Sequence, residues 1–137
     1  MSFLLDKSEQ NKIAFSYLFD KDVYAAITHC AYYSCIQKII YILSEYYTDE
    51  YNAGLEQIKG SAGNRHLFYI KEIYHWLSKD KIVDSRSAIN FKRMLIELRN
   101  SRIEADYYDV EITAEKAEKV KDTFEEIQLL IKRSFSL

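Results

Sequence analysis

Apolar residues recur at three- and four-residue steps along most of this chain, the period of amphipathic helices. The clearest instance opens at Thr113, whose hydroxyl suits a helix N-cap with Glu115 in the first turn. Ala117, Val120, Phe124, Ile127 and Ile131 then follow on one face. A similar stripe of Leu67, Ile70, Ile73, Tyr74 and Leu77 predicts a helix over 65–79. Another helix, 86–106, is expected to turn Ile89, Met94, Leu95, Leu98 and Ala105 inward, with Asp84 or Ser85 as its cap. The first segment, 8–19, carries Ile13, Phe15, Leu18 and Phe19 on one face before the polar turn Asp20-Lys21-Asp22, where Asp22 is the expected N-cap of the next helix. That helix, 23–47, is apolar on so many sides that it should sit centrally. Its inward face is expected at Ala26, Cys30, Tyr33, Gln37, Ile40 and Leu43, widened by Ala25, Tyr32, Ile36 and Ile39. From 48 to 64 the pattern weakens to a short helix and a glycine-bearing loop.

Composition supports this reading. The chain has no proline and only three glycines, too few for the turns of a β-rich fold. Its 137 residues suffice for one hydrophobic core and not for two ordinary domains. The expectation is a single all-α domain over 1–137, an up-and-down bundle of about five helices. Cys30 and Cys35 lie ~140° apart around one helix, unsuited to pairing, and read as buried free thiols of a cytoplasmic protein. The longest apolar stretch is interrupted by His29, Gln37, Lys38 and Glu45, against a membrane span.

Net charge of −2 demands no polyanionic partner, so any nucleic-acid contact must use a local patch. Glycine-rich phosphate loops and zinc-ligand spacings are absent from the sequence, and no cofactor is implied. His29, within an apolar run, reads as a hydrogen-bonded core residue. Twelve tyrosines are the compositional oddity, six of them (Tyr24, Tyr32, Tyr33, Tyr41, Tyr46 and Tyr47) crowding 23–47. Such rings serve as core edges, as an interface seam or as stacking platforms for bases. The segment from Leu98 to Tyr107 concentrates candidate chemistry. Helical spacing brings Arg99, Arg102 and Asp106 to one face. One reading is a surface ion pair between Arg102 and Asp106. The other is a notch in which the Arg99 and Arg102 forks bind phosphate and Tyr107 stacks or hydrogen-bonds.

At Arg99-Asn100 and Ala105-Asp106-Tyr107 the chain resembles the HEPN family, compact helical bundles whose hallmark is an Arg-Asn dipeptide followed by a histidine and often a tyrosine. Asp109, Ile112-Thr113, the pair Tyr32-Tyr33 and, more loosely, Gly63-Asn64-Arg65-His66 fit small stand-alone prokaryotic members. The resemblance implies a HEPN-like, nucleotide- or RNA-binding homodimer that partners a minimal nucleotidyltransferase in a toxin–antitoxin-like module. It would bind through Arg99, Arg102 and Tyr107. A metal-independent ribonuclease using Arg99, Asn100, Glu104 and Asp106 is the enzymatic alternative, and a non-catalytic helical adaptor the structural one. The family's histidine is missing: Glu104, Ala105 and Asp106 occupy its positions. Ribonuclease chemistry in this motif therefore lacks the imidazole that transfers protons near neutral pH.

Overall fold

The computed structural model describes residues 2–60 and 65–137; Gly63-Asn64 of the sequence motif lies outside them. Six helices follow in order: α1 (Phe3–Asp20), α2 (Tyr24–Tyr46), α3 (Thr48–Gln57), α4 (Arg65–Lys79), α5 (Ser85–Tyr107) and α6 (Ala114–Phe135). The five long helices match the expected ones, and the weak segment after Tyr47 supplies the sixth, so the all-α class holds. Among the described residues there is no strand, and no helix is long and apolar enough to cross a membrane.

α2 packs against each of the other five helices, which accounts for its apolar character. Its buried stripe is rotated from the expected one. Ile27, Ala31, Cys35, Ile39 and Ile42 are fully buried, whereas Ala25 and Ala26 are exposed and Tyr33, Gln37 and Ile40 are only half-buried. A helix wrapped by neighbours has little polar face to fix its orientation, so periodicity alone does not settle it. Where α1 meets α2, two small residues allow close approach. Ser8 Oγ donates to the Ser34 carbonyl at 2.6 Å and Ser34 Oγ to the Ser8 carbonyl at 2.9 Å, so neither buried hydroxyl is orphaned.

Three further expectations are corrected. Ile13 stands 61% exposed, because it lies two residues from buried Phe15 and so on nearly the opposite side of α1. Ile89 is likewise exposed at 54%; the inward row of α5 is Ala88, Phe91, Leu95 and Leu98, spaced three and four apart. Asp22 does not cap α2. It adopts a left-handed conformation at φ 59° and accepts from the Tyr24 hydroxyl at 2.8 Å, leaving Val23 at the cap position without a side-chain bond.

The other caps form as expected. Asp84 accepts from the Ser87 amide at 2.8 Å and Thr113 from the Lys116 amide at 3.2 Å. The predicted face of α6 is buried at all five positions, and Cys30 and Cys35 are buried free thiols. Gly54 is required where α3 meets α4, since a Cβ there would lie 2.5 Å from the Phe68 ring.

The centre holds one conspicuous polar group. The Lys38 ammonium is buried where α2 meets α6, donating to Gln128 Oε1 at 2.6 Å and to the Leu137 carbonyl at 3.2 Å. Gln128 Nε2 in turn donates to Ser34 Oγ at 3.2 Å. Burial pushes the Lys38 pKa down.

Candidate functional site

The helical spacing of α5 divides the sequence-predicted residues between two sides. Residues 99, 102 and 106 share one face by steps of three and four, whereas 100 and 104 lie on the other. The structure follows this division. Arg102 packs toward α2, its guanidinium carbon 5.4 Å from the centre of the Tyr32 ring and 5.6 Å from that of Tyr33. Its Nη1 lies 3.6 Å from Asp106 Oδ2, and the same carboxylate oxygen lies 3.4 Å from His29 Nδ1. Asn100 and Glu104 instead line a cleft shared with α6, where Glu104 accepts from Lys116 Nζ at 3.2 Å. Tyr107 ends α5 at 72% exposure, with no ring or cation contact to the arginines among the described residues.

Arg102 is only 9% exposed, so the two arginines do not open together into a shared pocket. Its charge is covered by two aromatic faces and balanced by Asp106, while Arg99 is half-buried and Arg65 exposed. The Nε atoms of Arg99 and Arg102 are buried without hydrogen-bond partners among the described residues. What reaches solvent is a rim of Arg65, Arg99 and His66 with Arg102 behind it.

His29 and His66 are the residues that sequence reasoning left out of the site. His29 is no core residue: it is exposed on α2, its ring 4.6 Å from that of Tyr33. His66 comes from the start of α4, stacks on Tyr32 with centroids 5.6 Å apart, and meets the Tyr33 ring edge-on at 5.9 Å. The Tyr33 ring thus touches both imidazoles and the Arg102 guanidinium. No spacing within α5 could reveal this, because the two imidazoles arrive from different helices; the sequence's pointers were the adjacent pair Tyr32-Tyr33 and, more loosely, Arg65-His66.

Protonation states follow from the surroundings. Burial raises the Tyr32 pKa well above its usual value, so the phenol keeps its proton, and it shares a hydrogen bond of 2.8 Å with His66 Nδ1 in which either group can donate. His66 has its pKa lowered, first by partial burial and then by the positive charges of Arg102, Arg99 and Arg65. It is therefore neutral at pH 7. An unfolded chain takes up the second imidazole proton near pH ~6.5, before the folded one does, so folding stability falls as the medium is acidified below that point. In thermal melts from pH 7 to 5 we expect the midpoint to drop less in His66→Gln than in the parent; equal drops would mean His66 carries none of the linkage.

Among the described residues no three His, Cys, Asp or Glu side chains converge as a metal site would require. Comparison of the chain with protein-family models, with curated proteins and with solved structures finds no match.

Proposed function

We propose that this protein is a HEPN-like module that binds the phosphates of a nucleotide or of single-stranded RNA at the Arg65–Arg99–His66 rim. The carrying observation is that the Tyr32-Tyr33 pair holds the Arg102 guanidinium and the His66 ring together, so that arginine charge adds to partial burial in lowering the His66 pKa. A phosphate seated there would relieve that mutual repulsion, accept from the guanidinium forks and raise the His66 pKa. The neighbouring Tyr33 ring supplies an aromatic edge for a base. Arg102 works from behind the rim as a charge fixed by Tyr32, Tyr33 and Asp106. The resemblance to HEPN proteins extends the proposal to a cytoplasmic homodimer that partners a minimal nucleotidyltransferase.

Fluorescence polarisation with a labelled oligouridylate tests the binding. Arg99→Ala and Arg65→Ala are each expected to weaken affinity by about tenfold, the scale of a lost charge-assisted phosphate contact. Each should also flatten the dependence of log affinity on log salt by ~0.7, as for one phosphate contact on a single strand. Affinity unmoved by both substitutions and by salt would leave a helical adaptor.

A specific observation favours an enzymatic second reading. The imidazole missing from the α5 motif is supplied by His66, unprotonated at pH 7 and beside arginine. In the tautomer whose Nδ1–H donates to the Tyr32 oxygen, its Nε2 would accept the ribose 2′-hydroxyl proton as that oxygen attacks the adjacent phosphorus, and the 5′-oxygen would leave carrying a proton. His29, held by Asp106, is the nearest candidate for that donor. This reading expects 2′,3′-cyclic phosphate ends from the parent chain and none from His66→Ala. Glu104 takes no part in it, being paired with Lys116 across the helix.

A further inference from the structure

We propose that the cleft between α2, α5 and α6, on the side of α5 turned away from the arginines, binds a small amphipathic monoanion: a carboxylate on a short aliphatic or single-ring body. The cleft encloses about 320 Å³, at the lower end of the range for small-molecule sites. Its apolar wall consists of Leu98, Val120 and Ile112, the last delivered by the extended connector between α5 and α6. Lys116 ties that connector down by donating to the Glu111 carbonyl at 3.3 Å.

Two features point to a ligand. Thr28 lines the cleft from α2 at 1% exposure, and its hydroxyl has no hydrogen-bond partner among the described residues. A buried, unpartnered hydroxyl is costly, so a polar group reaching it would be rewarded. The second feature is the charge left over at the mouth. Glu104 is paired with Lys116 at 3.2 Å and Glu97 with Arg93 at 2.6 Å. Lys119, the remaining charged residue of the lining, has no carboxylate within ion-pair distance among the described residues. One uncompensated cation above an apolar wall, with Asn100, Ser101 and Thr123 as hydrogen-bonding neighbours, selects one negative charge on an otherwise apolar molecule. This inference is independent of the phosphate-binding reading, since neither Arg99 nor His66 borders the cleft.

The test is titration of the ¹⁵N-labelled full chain with phenylacetate, hexanoate and the neutral phenylacetamide, followed through amide shifts. Saturable shifts around Ser101, Val120 and Thr123 are expected, with half-saturation near 1 mM, the affinity scale of ligands this small. Phenylacetamide should bind about fivefold more weakly, as expected for one exposed ion pair lost. Lys119→Met, a change at an exposed position, should abolish the preference for acid over amide. Val120→Trp should fill the cleft and remove binding. Equal binding of acid and amide by the parent, an acid preference that survives in Lys119→Met, shifts gathered around His66, or no saturable shifts would overturn the proposal.

Discussion

Tyr32→Ala is expected to destabilise the protein by about 3–5 kcal/mol, the range for truncating a large buried aromatic residue. The side chain is fully buried, and its ring carries three groups at once. Arg102 lies over it, Tyr33 meets it edge-on at 5.4 Å, and His66 stacks on it. Removing it leaves a void, strips one aromatic face from a buried guanidinium and takes from the imidazole its hydrogen-bond partner. A domain of ordinary stability, about 5–15 kcal/mol, would lose a fifth or more of its margin. Urea unfolding should show the midpoint falling sharply at nearly unchanged slope. A loss below ~1 kcal/mol would mean that the ring is not the platform described here.

Tyr32→Phe separates platform from hydrogen bond. The ring stays, so Arg102 keeps its cover, and the cost falls to about 1 kcal/mol for one lost hydrogen bond. His66 Nδ1 then loses its hydrogen-bond partner in Tyr32, and the imidazole is free to exchange between tautomers, which ¹⁵N shifts of its ring nitrogens would report. RNA affinity in Tyr32→Phe should stay near the parent value under the phosphate-binding reading. Cleavage, if the enzymatic reading holds, should fall, because the tautomer with a proton on Nδ1 and a free lone pair on Nε2 loses the Tyr32 oxygen that accepts from it.

The contrast between α6 and α2 shows where sequence patterning suffices. α6 lies on the surface, so only one face is apolar, and Ala117, Val120, Phe124, Ile127 and Ile131 mark it without ambiguity. α2 has neighbours all round, and the stripe chosen from its many apolar residues came out rotated. α5 was misread at Ile89 for a related reason: a β-branched apolar residue looks inward by type, but Ala88 occupies the buried position. For the site, spacing within one helix correctly joined Arg102 to Asp106, because that relation is local. Asn100 and Glu104 were joined to the arginines by the family resemblance alone; spacing puts them on the other side, where their neighbour is α6. His66 was illegible, since only tertiary packing carries it to the tyrosine pair, whereas His29 reaches Tyr33 by an i,i+4 step along α2 that the reading of His29 as core passed over.

Gln128→Leu should cost about 1.5–3 kcal/mol at pH 7, the range for a hydrogen bond to a charged group. Gln128 Oε1 is the nearer of the two acceptors bonded to the Lys38 ammonium, and no Asp or Glu carboxylate lies within ion-pair distance of that ammonium among the described residues. With leucine in its place, a buried positive charge keeps one carbonyl and loses its short bond, while Ser34 Oγ loses a donor. The effect has a pH signature that simple mispacking lacks. The folded-state pKa of Lys38 already lies below its ordinary value of 10.5, so between the two values the unfolded chain binds more protons and stability rises with pH. Losing Gln128 depresses the folded value further and widens that window. The deficit of the variant should therefore shrink as pH is raised from 7 toward 10, as the ammonium sheds its proton and the penalty with it. Lys38→Met in the same background removes the charge outright and should restore most of the lost stability. A Gln128→Leu deficit that stays constant across this range, or survives in the double variant, would show that packing around residue 128 and not the buried charge sets the cost.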